Sequence, residues 1–266
     1  MLPSSASTNP TIVLVHGAWR SPECFDSLRK VLEDRGYPTE APGHPSVGAE
    51  PPTKTLEDDV INMQIVLNRL IEDEGKEVVL VGHSYGGTVI SNASDGLGRD
   101  QRAIAKKRGG IVLAIYLAGF LVPKGATLFY GLGGAWAPWM RFNGEYSYAS
   151  DEAKRFYGDL SPENQQRWVS KLRHRSKASY LSLNTHEPWR NMPCGYILCE
   201  NDCALPFPVQ KMLVSSTEQK MQGDSSIGAQ KLLTANLKAS HSPFLSIPEK
   251  TAEVIEDMIG KICRSS

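Results

Sequence analysis

Short aliphatic runs alternate with longer amphipathic stretches along this chain. TIVLVHG (11–17), KEVVLVG (76–82), GGIVLAIYLAGF (109–120), GYILCEND (195–202) and KLLTANLK (231–238) read as strands. Near-continuous apolar character marks strands covered on both faces. YPTEAPG is a shorter strand entering a Pro/Gly-rich loop, 42–52. SPECFDSLRKVLEDRG (21–36) reads as a helix capped by Ser21, with Pro22 in its first turn and Gly36 as its stop. Phe25, Leu28, Val31 and Leu32 fall on one face of it. TLEDDVINMQIVLNRLIEDEG (55–75) is a second helix, with Ile61, Ile65, Leu67 and Leu70 at a helical period. GGTVISNASDGL (86–97) and SPFLSIPEKTAEVIEDMIGKI (242–262) contain two more. Strands alternating with helices predict an α/β fold, a mostly parallel sheet with helices on both faces.

The alternation stops between Pro123 and Pro193, where no clear strand is visible and aromatics crowd together. Roughly 70 residues is too long for a plain loop. The pattern predicts a mostly helical insertion, 123–193, splitting a core made of 1–122 and 194–266.

Composition narrows the picture. A chain of 266 residues can bury one sizeable core. Its 29 basic and 29 acidic residues balance, giving no electrostatic argument for nucleic acid or an anionic membrane as partner. The longest apolar run, 111–122, is too short to span a bilayer. MLPSSASTNP lacks the basic and apolar regions of a secretory signal, so a cytoplasmic protein is expected. The five cysteines, Cys24, Cys194, Cys199, Cys203 and Cys263, are odd in number and form no CxxC pair, so free thiols are expected. No G-x-G-x-x-G follows the first strand, and no P-loop or metal-ligand cluster occurs, so no cofactor and no metal are expected. The expected partner is a small-molecule substrate, and a homodimer stays open.

Candidate chemistry centres on VGHSYGG (81–87), where Gly82-His83-Ser84-Tyr85-Gly86 fits G-x-S-x-G between a strand and a helix. Such a turn strains the serine backbone, and the flanking glycines let strand and helix pass closely. The Ser84 hydroxyl then stands at a helix start, whose dipole favours negative charge. A serine needs a base. Of the six histidines, His241 alone follows the last strand and precedes a helix-start signature, Ser242-Pro243. His83 adjoins the serine but points away in an elbow, His16 reads as structural, and His44, His174 and His186 lie in a loop or the insertion. The base needs an acid. Asp202 lies farther past its strand than Glu200 and is preferred. The oxyanion donors expected are the backbone N–H groups of Tyr85 and Ala18, the latter in HGAW, with Trp19 facing the pocket.

VLVHGAW, VGHSYGG, Asp202 before a Leu-Pro and His241 before a helix occur in the order and spacing of the α/β-hydrolases, which the chain resembles along nearly its whole length. It is most similar to the compact branch containing plant methylesterases, hydroxynitrile lyases and microbial esterases. The resemblance implies that 123–193 is a cap over the site. It implies a serine hydrolase using Ser84, Asp202 and His241 on a carboxylic ester or lactone of a small, apolar or aromatic substrate. Trp136 and Trp139 of the cap join Trp19 as expected pocket residues. Hydroxynitrile lyases carry a lysine directly after the catalytic histidine, and Ser242 stands there instead. Two alternatives remain: a lyase or acyl transferase/cyclase of secondary metabolism that excludes water, and a small-ligand receptor.

Overall fold

In the computed structural model, residues 9–223 and 231–263 are described; the first eight residues and the side chain of Cys263 lie outside. The elements follow in chain order. The first part holds β1 (Thr11–Val15), α1 (Asp26–Asp34), β2 (Thr39–Glu40), α2 (Leu56–Asn68), β3 (Glu77–His83), α3 (Gly86–Ala93), α4 (Arg99–Ile104) and β4 (Gly110–Leu117). Next come α5 (Leu128–Gly131), β5 (Met140–Asn143), β6 (Tyr146–Ala149), α6 (Glu152–Tyr157), α7 (Pro162–Val169) and β7 (Arg175–Ser176). The chain then runs through β8 (Cys194–Cys199), α8 (Phe207–Gln222), β9 (Leu233–Leu237), α9 (Pro243–Ser246) and α10 (Pro248–Cys263).

The aliphatic runs form one six-stranded sheet in the order β2-β1-β3-β4-β8-β9. Every neighbouring pair is parallel, with Val13 opposite Leu80 and Tyr116 opposite Tyr196. Alternate residues of each central strand feed opposite faces. Val13, Val15, Val78 and Leu80 pack with Met63 and Leu67 of α2 and Val89 and Ile90 of α3. Ile12, Leu14, Val79 and Val81 pack with Leu28 and Leu32 of α1 and Ile255 and Met258 of α10. Both faces are covered, which is why these strands read as continuous apolar runs.

Several boundaries differ from the sequence reading. The segment 21–36 begins as a 3-10 turn, Pro22–Phe25, and Ser21 does not cap it; the Ser21 hydroxyl donates to Glu23 instead, at 2.9 Å. On α2 the buried face is Leu56, Asp59, Met63 and Leu67, whereas Ile61 and Ile65 are exposed. The helix is turned from the expected face because a hydrogen-bonded aspartate occupies a core position. Helix α8 has almost no apolar period, since Gln210 and Thr217 share its buried side with Leu213, Val214 and Met221. The stretch between β4 and β8 is not mostly helical: β5, β6 and β7 form a three-stranded antiparallel sheet among short helices. Strands of two to four residues carry too little alternation to be seen. Gly144 at φ 56° makes the β5–β6 turn.

Candidate active site

Ser84 sits between β3 and α3 with φ 53°, a left-handed conformation that costs a side-chain-bearing residue about 1 kcal/mol or more. Three backbone bonds hold it there. Its N–H donates to the Leu117 carbonyl at 3.2 Å, and its own carbonyl accepts from Gly87 at 3.0 Å and Phe120 at 3.1 Å. The glycines serve close approach. A Cβ on Gly86 would lie 2.2 Å from the Val15 carbonyl oxygen, so strand β1 can pass only a glycine here. A Cβ on Gly17 would lie 3.0 Å from the Ser84 Cβ, which presses the loop after β1 against the serine turn.

His241 follows β9, and its Nδ1 lies 2.6 Å from Asp202 Oδ2. Both residues are buried. The other carboxylate oxygen, Oδ1, accepts from the Ala204 and Leu205 amides at 2.7 and 2.8 Å. Gln210 of α8 donates to Oδ2 at 3.3 Å. With Nδ1 committed to the carboxylate, Nε2 is the nitrogen left to exchange a proton. The histidine loop is tied down on two sides. His83 Nε2 donates to the His241 carbonyl at 2.8 Å. Asp159 accepts from the Ser240 amide and the Ser246 hydroxyl, both at 2.8 Å, and from the Ser240 hydroxyl. Glu200 is elsewhere, accepting from Asn236 at 3.0 Å.

Ala18, Trp19, Ser84, Tyr85, Trp139 and His241 line one cavity of about 40 Å³. The residues expected at the site therefore meet in one place, with two exceptions. Asp202 stands behind His241, and Trp136 is not at the wall. Trp136 packs instead against Phe129, Phe142 and Tyr180, with ring centroids 4.6, 4.7 and 5.7 Å away, in the small core of the insertion. Trp19, at φ 63°, is held by its indole N–H to the Ser147 carbonyl of β6 at 3.1 Å. Trp139 meets it edge-on at 5.8 Å. The insertion thus roofs the serine. Small-molecule pockets usually enclose roughly 300 to 1,000 Å³, so entry of an ester requires roof side chains to move.

A sequence model of the alpha/beta hydrolase family matches residues 12–254. The chain belongs to the alpha/beta hydrolase family. The alpha/beta hydrolase nvfD of Aspergillus novofumigatus is 28% identical over 257 residues, covering 95% of this chain and 97% of its own. The pyrethroid hydrolase of Sphingobium wenxiniae is 26% identical over 262 residues, covering 92% and 86%. In fold, the crystal structure of a pyrethroid hydrolase from Sphingobium faniae matches with a TM-score of 0.72 at 24% identity, over 94% of this chain and 97% of that one.

This alpha/beta hydrolase also holds buried polar groups that the sequence did not flag. The Tyr85 hydroxyl donates to Asp59 Oδ2 at 2.7 Å, and Ser46 donates to the same carboxylate through its amide and hydroxyl at 2.8 and 2.6 Å. The Arg175 guanidinium covers the Tyr85 ring, 3.1 Å from its centroid, and its Nε donates to Ser46 at 3.2 Å. His44 Nε2 donates to the His16 carbonyl at 2.8 Å. Burial holds His16 and His83 well below the usual imidazole range and His44 down at about 3, so all three rings are neutral. Burial likewise pushes the Tyr85 phenol up. These groups fix the backbones of the Ala18 and Tyr85 loops. Asp59 alone left a trace in the sequence, as an acid at a core position of a helix. Arg175 and Asp159 reach partners far away in the chain, and Gln210 turns back on the loop just before its own helix; none of the three left one. Cys24, Cys194, Cys199 and Cys203 are free thiols, and burial pushes that of Cys24 up to about 12.

Proposed function

We propose that this hydrolase cleaves a carboxylic ester or lactone through an acyl-enzyme on Ser84. The observation that carries the reading is the 2.6 Å bond from His241 Nδ1 to Asp202, on a histidine that shares its cavity with a left-handed Ser84. His241 takes the Ser84 proton through Nε2 as the hydroxyl attacks the carbonyl carbon. The amides of Ala18 and Tyr85 receive the negative charge that moves onto the carbonyl oxygen. His241 then delivers the proton to the leaving alkoxide. Water, deprotonated by the same nitrogen, releases the acid and restores Ser84. Asp202 keeps the proton on Nδ1 and stabilises the imidazolium between steps. The apolar rings of Trp19, Trp139 and Phe156 at the wall suit a small apolar or aromatic ester. The names of the relatives, which include a pyrethroid hydrolase, support ester cleavage.

The test is turnover of 4-nitrophenyl acetate in oxygen-18 water. The expected result is a burst of one nitrophenolate per chain and one labelled oxygen in the acetate, both lost in Ser84→Ala. Turnover that leaves the product unlabelled would replace hydrolysis with acyl transfer or elimination.

A further inference from the structure

Arg175 of β7 is fully buried, and its guanidinium sits on the residue that follows the serine. Its Cζ lies 3.1 Å from the centroid of the Tyr85 ring and 4.4 Å from that of Tyr180. Nε donates to the Ser46 hydroxyl oxygen at 3.2 Å, and that hydroxyl donates in turn to Asp59 Oδ2 at 2.6 Å. The Tyr85 hydroxyl donates to the same carboxylate oxygen at 2.7 Å. The circuit is closed: Asp59 holds the tip of Tyr85, and Arg175 holds its face. Nη1 and Nη2 meet no hydrogen-bond partner, and among the described residues no carboxylate forms an ion pair with the guanidinium. A side chain that only filled this space would do so at less cost without a charge.

The same stretch of chain grips the other donor loop. The Arg173 amide donates to the Trp19 carbonyl at 2.9 Å. The Arg175 carbonyl accepts from the Ser147 hydroxyl at 2.9 Å, and the Trp19 indole donates to the Ser147 carbonyl at 3.1 Å. Among the described residues the Ala18 and Tyr85 amides donate to no backbone carbonyl, which leaves both to a ligand oxygen. We propose that Arg175 is a positioning residue for the oxyanion donors: through the Tyr85 ring it aims that residue's amide, and through β7 it ties this amide to the loop of Ala18. The proposal rests on the ester-hydrolase reading. It makes the reacting geometry depend on how the stretch between β4 and β8 is seated, because a β7 that lifts away releases both donor loops together. A displacement of about 1 Å can cost about a hundredfold in rate, and a lost oxyanion donor costs about 10² to 10³.

The test uses Arg175→Met, Arg175→Lys and Tyr85→Phe beside the native protein, with two readouts. The first is kcat for 4-nitrophenyl acetate per chain that a fluorophosphonate labels. Arg175→Met is expected to lower it by about tenfold to a hundredfold with KM moved less than about twofold, and Arg175→Lys to keep part of the rate. Tyr85→Phe, which removes only the bond to Asp59, is expected to lower it about tenfold. The second readout is the ratio of dissociation constants, by calorimetry, for 4-phenylbutan-2-one and its 1,1,1-trifluoro analogue. Ser84 Oγ adds to the carbonyl carbon of the fluorinated ketone, its proton passes to His241, and the carbonyl oxygen becomes an oxyanion. The native ratio is expected to be about a hundredfold or more, and Arg175→Met to cut it about tenfold. An arginine that merely props the fold would lower the unfolding midpoint while leaving the rate per labelled chain and the ketone ratio alone, and that result overturns the proposal. If Arg175→Met does not fold, Tyr85→Phe decides it on the same two readouts. An Arg175-dependent ketone ratio in a protein that turns over no ester would keep the positioning role and sink the ester-hydrolase reading. Ester turnover unmoved by both Arg175→Met and Tyr85→Phe would do the reverse.

Discussion

Lowering the pH from 7 to 5.5 is expected to remove about 4 kcal/mol of folding stability through three histidines, none of them a proposed catalytic group. His16, His44 and His83 are buried, and burial is the largest cause holding each below the ordinary imidazole range, with His44 at about 3. Unfolded, each titrates near 6.5. At pH 5.5 the unfolded chain therefore binds protons that the folded chain refuses, and stability falls as pH falls. The contribution is whole above about pH 7, and for His44 the loss runs on down to about 3. Over the stated interval each imidazole accounts for about 1.3 kcal/mol. A domain's whole stability is about 5 to 15 kcal/mol, so the loss is large. His186, also lowered by burial with Asp95 opposing, adds to the same slope. Urea unfolding at pH 7.0, 6.25 and 5.5 measures the change. Calorimetry in buffers of different ionisation enthalpy counts the protons taken up on unfolding at pH 5.5, expected to approach three. A stability change below about 1 kcal/mol, or uptake of less than one proton, would refute the claim that these rings are held neutral.

Other substitutions separate the parts of the site. Asp202→Asn is expected to cut kcat by about 10³ to 10⁴, because the Ala204 and Leu205 amides keep the amide oxygen and its NH2 then donates to Nδ1, which imposes the wrong tautomer; steady-state kinetics beside a thermal melt checks it. Gly86→Ala places a Cβ 2.2 Å from the Val15 carbonyl and should destabilise by about 3 kcal/mol or more, read by urea unfolding. Trp136→Ala and Trp139→Ala should part company. The first removes a ring packed against Phe129 and Phe142 and should lower stability by about 2 kcal/mol, whereas the second opens the cavity wall and should alter KM among ester chain lengths.

The central strands were legible because a strand buried on both faces must be almost wholly apolar, and every position of β1, β4 and β8 is buried. Edge strand β9, with Thr234 and Asn236 exposed, was found from its length and place rather than from purity. The serine turn was legible because close approach forces glycine at fixed offsets from Ser84. His241 and Asp202 were legible because a parallel sheet gathers the loops at its carboxyl edge, so their positions after β9 and β8 bring them to the serine. What was hidden depends on contacts that leave no local period. The β5–β7 sheet is built from strands too short to alternate. Helix α8 spends a core position on Gln210, which bonds the Cys199 and Leu205 carbonyls at 3.1 and 2.7 Å as well as Asp202. Trp136 and Trp139 stand three residues apart, and only the fold of the insertion sends one to its own core and the other to the cavity. Nothing in the sequence singled out Arg20, whose guanidinium lies over the rings of Phe156, Tyr157 and Phe244.

The central claim is that Ser84 is a nucleophile served by His241. Intact-mass analysis after reaction with a fluorophosphonate tests it most directly, on the native protein, Ser84→Ala and His241→Ala. One adduct per native chain is expected, none on Ser84→Ala, and labelling slowed by several orders of magnitude on His241→Ala. A native protein that stays unlabelled, or a Ser84→Ala variant that labels as fast as the native chain, would contradict the account.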